Sequence, residues 1–176
     1  METARRSFFV VAGVVVALLG VGGGMQPASG VEGAKCTWTF VIVLDPGFSI
    51  EGSTGTHYSE KPGVLQCDGA VNGRPITGAG TVSDEGPYGT EDPDSCMTGS
   101  EGTGTDRITV PTAEGQQEIV SEFSYTAAKM SNGGPFRGEF KGTRLDGTIE
   151  LTVLEGDCVT KPITRVKVVG QGLLHD

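Results

Sequence analysis

Apolar and polar residues alternate with a period of two over the second half of the chain. Ile119, Phe123 and Tyr125 are interleaved with Glu118, Glu122 and Ser124; Phe136 and Phe140 with Arg137, Glu139 and Lys141. Ile149, Leu151 and Val153 alternate with Thr148, Glu150 and Thr152, and Val166 and Val168 with Arg165 and Lys167. Such a period gives strands with one buried and one wet face, as in antiparallel sheets. Four earlier segments predict strands less regularly. Residues 36–44 contain the unbroken run Val41-Ile42-Val43-Leu44, and residues 64–70 place Leu65 and Cys67 on one side. Residues 76–83 carry Gly78 and Gly80, where a sheet bends or another backbone approaches closely. The fourth segment runs over about 102–110. Asn72-Gly73, Glu114-Gly115 and Asp146-Gly147 supply turn signals between strands.

Eight short strands and no long 3.6-residue stripe predict an all-β fold: a single antiparallel barrel, with a two-sheet sandwich as the alternative. Glycines at 78, 80, 138 and 142 favour the barrel, because glycine inside a strand lets it curl toward closure. The pattern Gly138-Glu139-Phe140-Lys141-Gly142-Thr143, followed by Gly156-Asp157-Cys158 and a Thr/Val-rich last strand, resembles secreted β-rich proteins of actinomycetes. The G-x-F-x-G rhythm is similar to that of small eight-stranded barrels of the allene oxide cyclase and dirigent type. The first likeness implies export and a β fold; neither assigns an activity or a site residue.

The first thirty residues have a different character. Arg5 and Arg6 precede an apolar run from Phe8 to about Leu19, which gives way to Gly20, Gly22, Gly23 and Gly24. A basic start, a short apolar core and small residues before the cut describe a secretory signal peptide, and Ala28 and Gly30 place cleavage before Val31. The apolar run is shorter than the ~20 residues a membrane span needs. Arg5-Arg6-Ser7-Phe8-Phe9 also fits the twin-arginine export pattern, and the general and twin-arginine routes both stay open. Residues 31–176 then form one domain, long enough to bury a real core.

Removing Arg5, Arg6 and Glu2 from 13 basic and 22 acidic residues leaves 11 and 21, a net charge of −10 for that domain. This balance argues against nucleic acid, whose phosphates are bound by Lys and Arg, and against adhesion to anionic lipid once the signal is removed. All four cysteines, Cys36, Cys67, Cys96 and Cys158, follow the signal, and their wide spacing suits two disulfides better than a zinc site. If the strands run up and down in order, the short connections at 71–75, 111–116 and 143–147 share one end. Those at 45–63, 84–98, 127–135 and 155–160 share the other. Cys96 and Cys158 then meet at the loop-rich end, and Cys36 lies beside Cys67 on a neighbouring strand, so Cys36–Cys67 with Cys96–Cys158 is the expected pairing.

Long loops on a rigid β scaffold are where binding concentrates, and barrel mouths are common ligand sites. The loop-rich end collects His57, Tyr58, Asp84, Glu85, Tyr88, Glu91, Asp92, Asp94 and Met130. His57, Tyr58, Tyr88, Asp92 and Asp94 are the candidate ligand-binding residues, with His57 and the two tyrosines expected to be exposed. No catalytic residue is assigned: a Ser-His-Asp device would need His57, and no G-x-S-x-G elbow is present. The acidic run 84–94 could offer oxygens to calcium but lacks the EF-hand pattern, so a solvated loop is expected and neither metal nor cofactor is assigned. These residues predict a secreted, non-enzymatic barrel binding a small apolar ligand or an extracellular protein through its loop-rich end. The alternatives are an inhibitor of a secreted hydrolase, whose plug would be 84–98, and an isomerase working in the barrel cavity.

Overall fold

A computed structural model of the chain describes residues 33–127 and 136–176. The signal segment 1–30, and Met130 with most of the connection after the fifth predicted strand, lie outside the described residues. The described residues form ten strands: β1 (Ala34–Phe48), β2 (Gly55–Ser59), β3 (Gly63–Val71), β4 (Arg74–Pro75), β5 (Gly80–Tyr88), β6 (Ser100–Thr112), β7 (Gly115–Ala127), β8 (Phe136–Gly142), β9 (Leu145–Glu155) and β10 (Ile163–Leu174). Among the described residues no helix is long and apolar enough to cross a membrane.

The strands form one antiparallel sheet that closes on itself through β10 and β1. β2 and β3 share a single position in the wall. β2 pairs with the second half of β1 and with Glu85–Tyr88 of β5, whereas β3 pairs with the first half of β1 and with Gly80–Val82 of β5. Counting that composite as one stave, and β4 as a hairpin tail on β3, the wall is an eight-stave up-and-down barrel. Register partners lead around the wall from Cys36 through Gly172, Gly147, Phe140, Tyr125, Gly102 and Tyr88 to Gly55. Gly55 adjoins Thr56, the partner of Asp45. The path thus regains β1 about ten residues from its start, the stagger that tilted strands need to close a barrel.

That path shows how the bore is filled. Tyr125 has Gly102 as its register partner on one side, Phe140 has Gly147, and Phe123 lies between Gly104 and Gly142. Trp38 is opposite Gly170, whose added Cβ would fall 2.0 Å from the indole. The inward glycines are therefore seats for aromatic rings as well as places where strands curl. The rings touch one another in turn: Phe123 and Phe140 have centroids 4.7 Å apart, and Trp38 and Phe140 6.0 Å.

Both expected disulfides are present. Cys36 and Cys67 are direct cross-strand partners with Cα atoms 4.1 Å apart, and Cys96–Cys158 spans 6.3 Å at the loop-rich end. They mark a fold for an oxidising environment. The Asn72-Gly73 turn is as expected, with both residues at positive φ (49° and 71°) between β3 and β4. Asp146-Gly147 is not a turn: both residues pair inside β9, and the reversal falls earlier, between Gly142 and Leu145.

The expected connection 45–63 is also corrected. β1 continues to Phe48 and β2 occupies 55–59, leaving a loop at 49–54 and a short interruption at 60–62. Likewise β5 begins at Gly80 and runs on to Tyr88, so the next loop is 89–99 rather than 84–98. β2 is hidden in the sequence because its inward residues, Gly55, His57 and Ser59, are not apolar.

The ring-over-glycine packing makes a selective prediction. Gly170→Ala drives a methyl group into Trp38 and should cost about 3 kcal/mol, the upper part of the usual overpacking range. Gly78→Ala, whose Cβ would meet only Pro111 Cγ at 3.6 Å, should stay within about 0.5 kcal/mol. Chemical denaturation of the two variants checks this, and equal costs would contradict the packing described.

Candidate functional site

At the loop-rich end, loops 49–54, 89–99 and 156–162 are tied together. Ser53 and Asp94 exchange backbone hydrogen bonds of 2.8 and 2.9 Å, and Thr54 Oγ1 donates to the Gly89 carbonyl at 2.8 Å. The Asp94 carboxylate accepts from Ser100 Oγ at 2.6 Å and from the Glu101 N–H at 3.2 Å. Burial pushes its carboxyl upward, and these hydrogen bonds oppose the shift. Ser95 and Gly99 close a tight turn through mutual backbone bonds, and Cys96 within it is bonded to Cys158. On the other side of that disulfide, the Asp157 carboxylate accepts the N–H groups of Val159, Thr160 and Lys161 at 2.7–3.0 Å. Together with the Thr160 hydroxyl, they hold Asp157 well below the usual carboxylate range. Ile50, Met97 and Val159 emerge from these three loops 48%, 61% and 75% exposed.

The candidate residues separate into different environments. Asp92 is exposed on the 89–99 loop, and Asp94 is buried as that loop's internal anchor. Tyr58 is exposed on the outer face of β2. His57 and Tyr88, expected to be exposed, are buried at 3% and 0%. Tyr88 packs edge-on to Phe48 with centroids 4.7 Å apart, and its hydroxyl donates to the Pro46 carbonyl. His57 pairs with Leu44 and Gly86 in the wall and points inward, its ring 5.7 Å from Tyr125 and 6.1 Å from Phe123. Burial lowers its pKa to about 4, so it is neutral in ordinary conditions. Among the described residues no hydrogen-bond partner, acid or otherwise, meets the buried His57 Nδ1.

Beneath the loops lies an interior chamber lined by His57, Asp84, Ser100, Tyr125 and apolar side chains including Trp38 and Phe40. Its free volume is about 40 Å³, room for roughly three water molecules. Ligand pockets for drug-sized molecules occupy about 300–1,000 Å³. Asp84 belongs to a row of polar residues that crosses the barrel wall, Ser59, Asp84, Asp106 and Ser121, on β2, β5, β6 and β7; of the four only Asp84 lines the chamber. Asp84 and Asp106 are direct register partners, as are Asp106 and Ser121. Ser59 Oγ lies 3.1 Å from Asp84 Oδ1 and accepts the Asp84 N–H at 2.8 Å. Asp106 is 1% exposed, and its Oδ2 has no partner among the described residues. Burial raises Asp84 to about 7 and Asp106 to about 8, the latter helped by the neighbouring Asp84 charge.

Asp106 was missed from the sequence, although a signal existed. Extending the inward alternation of Val110 and Ile108 backwards puts Asp106, Gly104 and Gly102 on the same face. Among the described residues no group of three or more His, Cys, Asp or Glu side chains could hold a metal ion.

The acid pair dictates a pH dependence. Both folded values lie above the unfolded carboxylate value. Their stabilisation is complete below about pH 4 and is lost as pH rises through about 7 and 8. His57 acts oppositely, contributing fully above about pH 6.5 and losing its contribution as pH falls through about 4. Above pH 6.5 only the acids matter. Between pH 6.5 and 8.5 the wild type should lose about 2 kcal/mol through Asp106 alone, at ~1.4 kcal/mol per pH unit. Asp106→Asn should remove most of that loss. Denaturation curves at the two pH values check this, and a variant that loses as much as the wild type would contradict the assignment.

Comparison of the chain with protein-family models, curated proteins and solved structures returned no match.

Proposed function

We propose that this chain is a secreted, non-enzymatic binding protein that engages an extracellular protein partner through its loop-rich end. The observation that carries this reading is the filled bore. With about 40 Å³ free, the interior has no preformed room for a drug-sized ligand, so recognition falls to the surface. The loop-rich end is the part of that surface built for it: three cross-tied loops braced by Cys96–Cys158, presenting Ile50, Met97 and Val159. A loop backbone already fixed by cross-ties loses little conformational entropy on docking, so the cost left is that of its side chains. Glu91 and Asp92 on the same end add negative charge, which suits a partner with an apolar depression rimmed by Lys or Arg. Inhibition of a secreted hydrolase is one form of this reading, with the 89–99 loop as the contacting segment.

Binding of a small apolar molecule is the second reading, favoured by the aromatic lining and by the unpartnered His57 Nδ1. It requires the rings to move apart. A cavity isomerase needs the same enlargement, since a substrate must fit beside His57 or Asp84.

The test is affinity capture from culture fluid with the wild type and with the double variant Met97→Glu, Val159→Glu. Each exposed change should alter stability by no more than about 0.5 kcal/mol, so the melts should nearly coincide. A band held by the wild type should fall at least tenfold with the variant and weaken as salt is raised. Undiminished capture by the double variant would remove the loop-rich end as the docking surface.

A further inference from the structure

The composite stave has a gap with a chemical consequence. β2 covers β5 at Glu85–Tyr88 and β3 covers it at Gly80–Val82, so Ser83 and Asp84 face the interruption at 60–62 without a strand partner on that side. The Ser59 hydroxyl bridges this stretch, bonding both the Asp84 N–H and its carboxylate. Outside the gap is a pocket of about 290 Å³, bordered by Tyr58, Ser83, Glu85, Thr105 and Arg107. Asp84 borders both that pocket and the interior chamber. Behind it, the His57 Nδ1 and Asp106 Oδ2 atoms are buried and unpartnered. Buried polar atoms of this kind are normally met by ordered water, and the chamber that His57 lines has room for it.

We propose that the interruption of the β2–β3 stave is a side portal through which water and small uncharged molecules reach the interior chamber, with Asp84 as the group that closes it. Held by Ser59, the Asp84 side chain fills the gap. Asp106 faces it across the β5–β6 pair, and like charges in direct cross-strand register repel. The surrounding groups leave that repulsion uncompensated. Inside are His57 of β2, Tyr88 of β5 and Tyr125 of β7, none of them a cation near neutral pH. Outside, Arg107 of β6 is 3.7 Å from Glu85 of β5, Arg165 of β10 is 2.7 Å from Glu60, Lys61 of the interruption is exposed and lines a separate outer pocket with Lys167 of β10, and Glu122 of β7 is exposed. Among the described residues no salt bridge reaches Asp84 or Asp106. When both acids lose their protons, Asp84 is the one free to swing outward, toward the pocket that Arg107 borders. The raised proton affinities of the pair place this opening near neutral to mildly alkaline pH. The portal is independent of the docking reading at the loop-rich end.

Trp38, the single tryptophan of the chain, lines the chamber at 4% exposure and reports on access. Fluorescence quenching of the intact folded protein by acrylamide, which is uncharged, should rise at least threefold between pH 6 and pH 9, with thermal melts showing that it stays folded at both. Asp84→Asn with Asp106→Asn should abolish the rise; Asp106→Asn alone serves if the double variant does not fold. Thr105→Phe, which fills the outer pocket, should suppress the rise with both acids intact. A flat wild-type response, or an equal rise in the acid variant, would overturn the proposal. So would an unchanged rise in Thr105→Phe, which would place access at the loop-rich end instead.

Discussion

An eight-stave barrel has a bore that side chains only just fill, and in this chain the fit depends on rings set against glycines. Phe123, Tyr125, Phe140 and Trp38 each have at least one glycine as an inward register partner. A methyl group at those positions meets a ring or a neighbouring carbonyl: Phe123 Cζ at 2.6 Å from Gly104, and the Gln171 carbonyl at 2.1 Å from Gly147. Aromatic burial supplies much of the apolar area, the glycines allow the staves to lie close, and the stagger of about ten residues brings β10 back onto β1. Removing a seat displaces a ring, and through the ring contacts the disturbance reaches several staves. The inward glycines are therefore part of the core.

The same geometry explains the polar features. Where β2, β5 and β6 turn glycines inward at 55, 86, 102 and 104, the His57 ring packs against Phe123 and Tyr125. One level along the wall, Asp84 and Asp106 take inward positions as an acid pair with raised proton affinities. With His57 neutral and the acids largely protonated below neutrality, the bore carries little charge, which is how polar groups are accommodated in an apolar interior. Charge and exposed apolar side chains are left to the outside and to the loop-rich end, where Asp94 and Asp157 serve mainly to fix loop geometry.

Much of the fold was legible because apolar alternation is strong in β7 to β10, and counting strand directions was enough to pair the cysteines. The sequence was opaque where inward positions are not apolar. Gly55, His57 and Ser59 concealed β2, which made His57 look like a loop residue. Tyr88 was misplaced because Gly86 and Pro87 interrupt β5 with turn-forming residues inside a real strand. Asp106 was passed over because acids are rarely buried unpaired. At the loop-rich end, Asp92 and Asp94 both lie on the 89–99 loop, the first exposed and the second buried as the loop's internal anchor. The apolar side chains there, Ile50, Met97 and Val159, carry no local pattern, and only the cross-ties of the loops bring them to one end.

The proposed recognition falls to the loop-rich end because the bore is filled. Its most direct test is a ¹H–¹⁵N chemical-shift map of the folded protein, titrated with the partner captured through Met97 and Val159. The predicted result is perturbation confined to residues 49–54, 89–99 and 156–162, with the Trp38 indole and the amides of Gly104 and Gly170 unmoved. Shifts centred on Trp38, Gly104 and Gly170, with the loops silent, would show a ligand among the rings and contradict it.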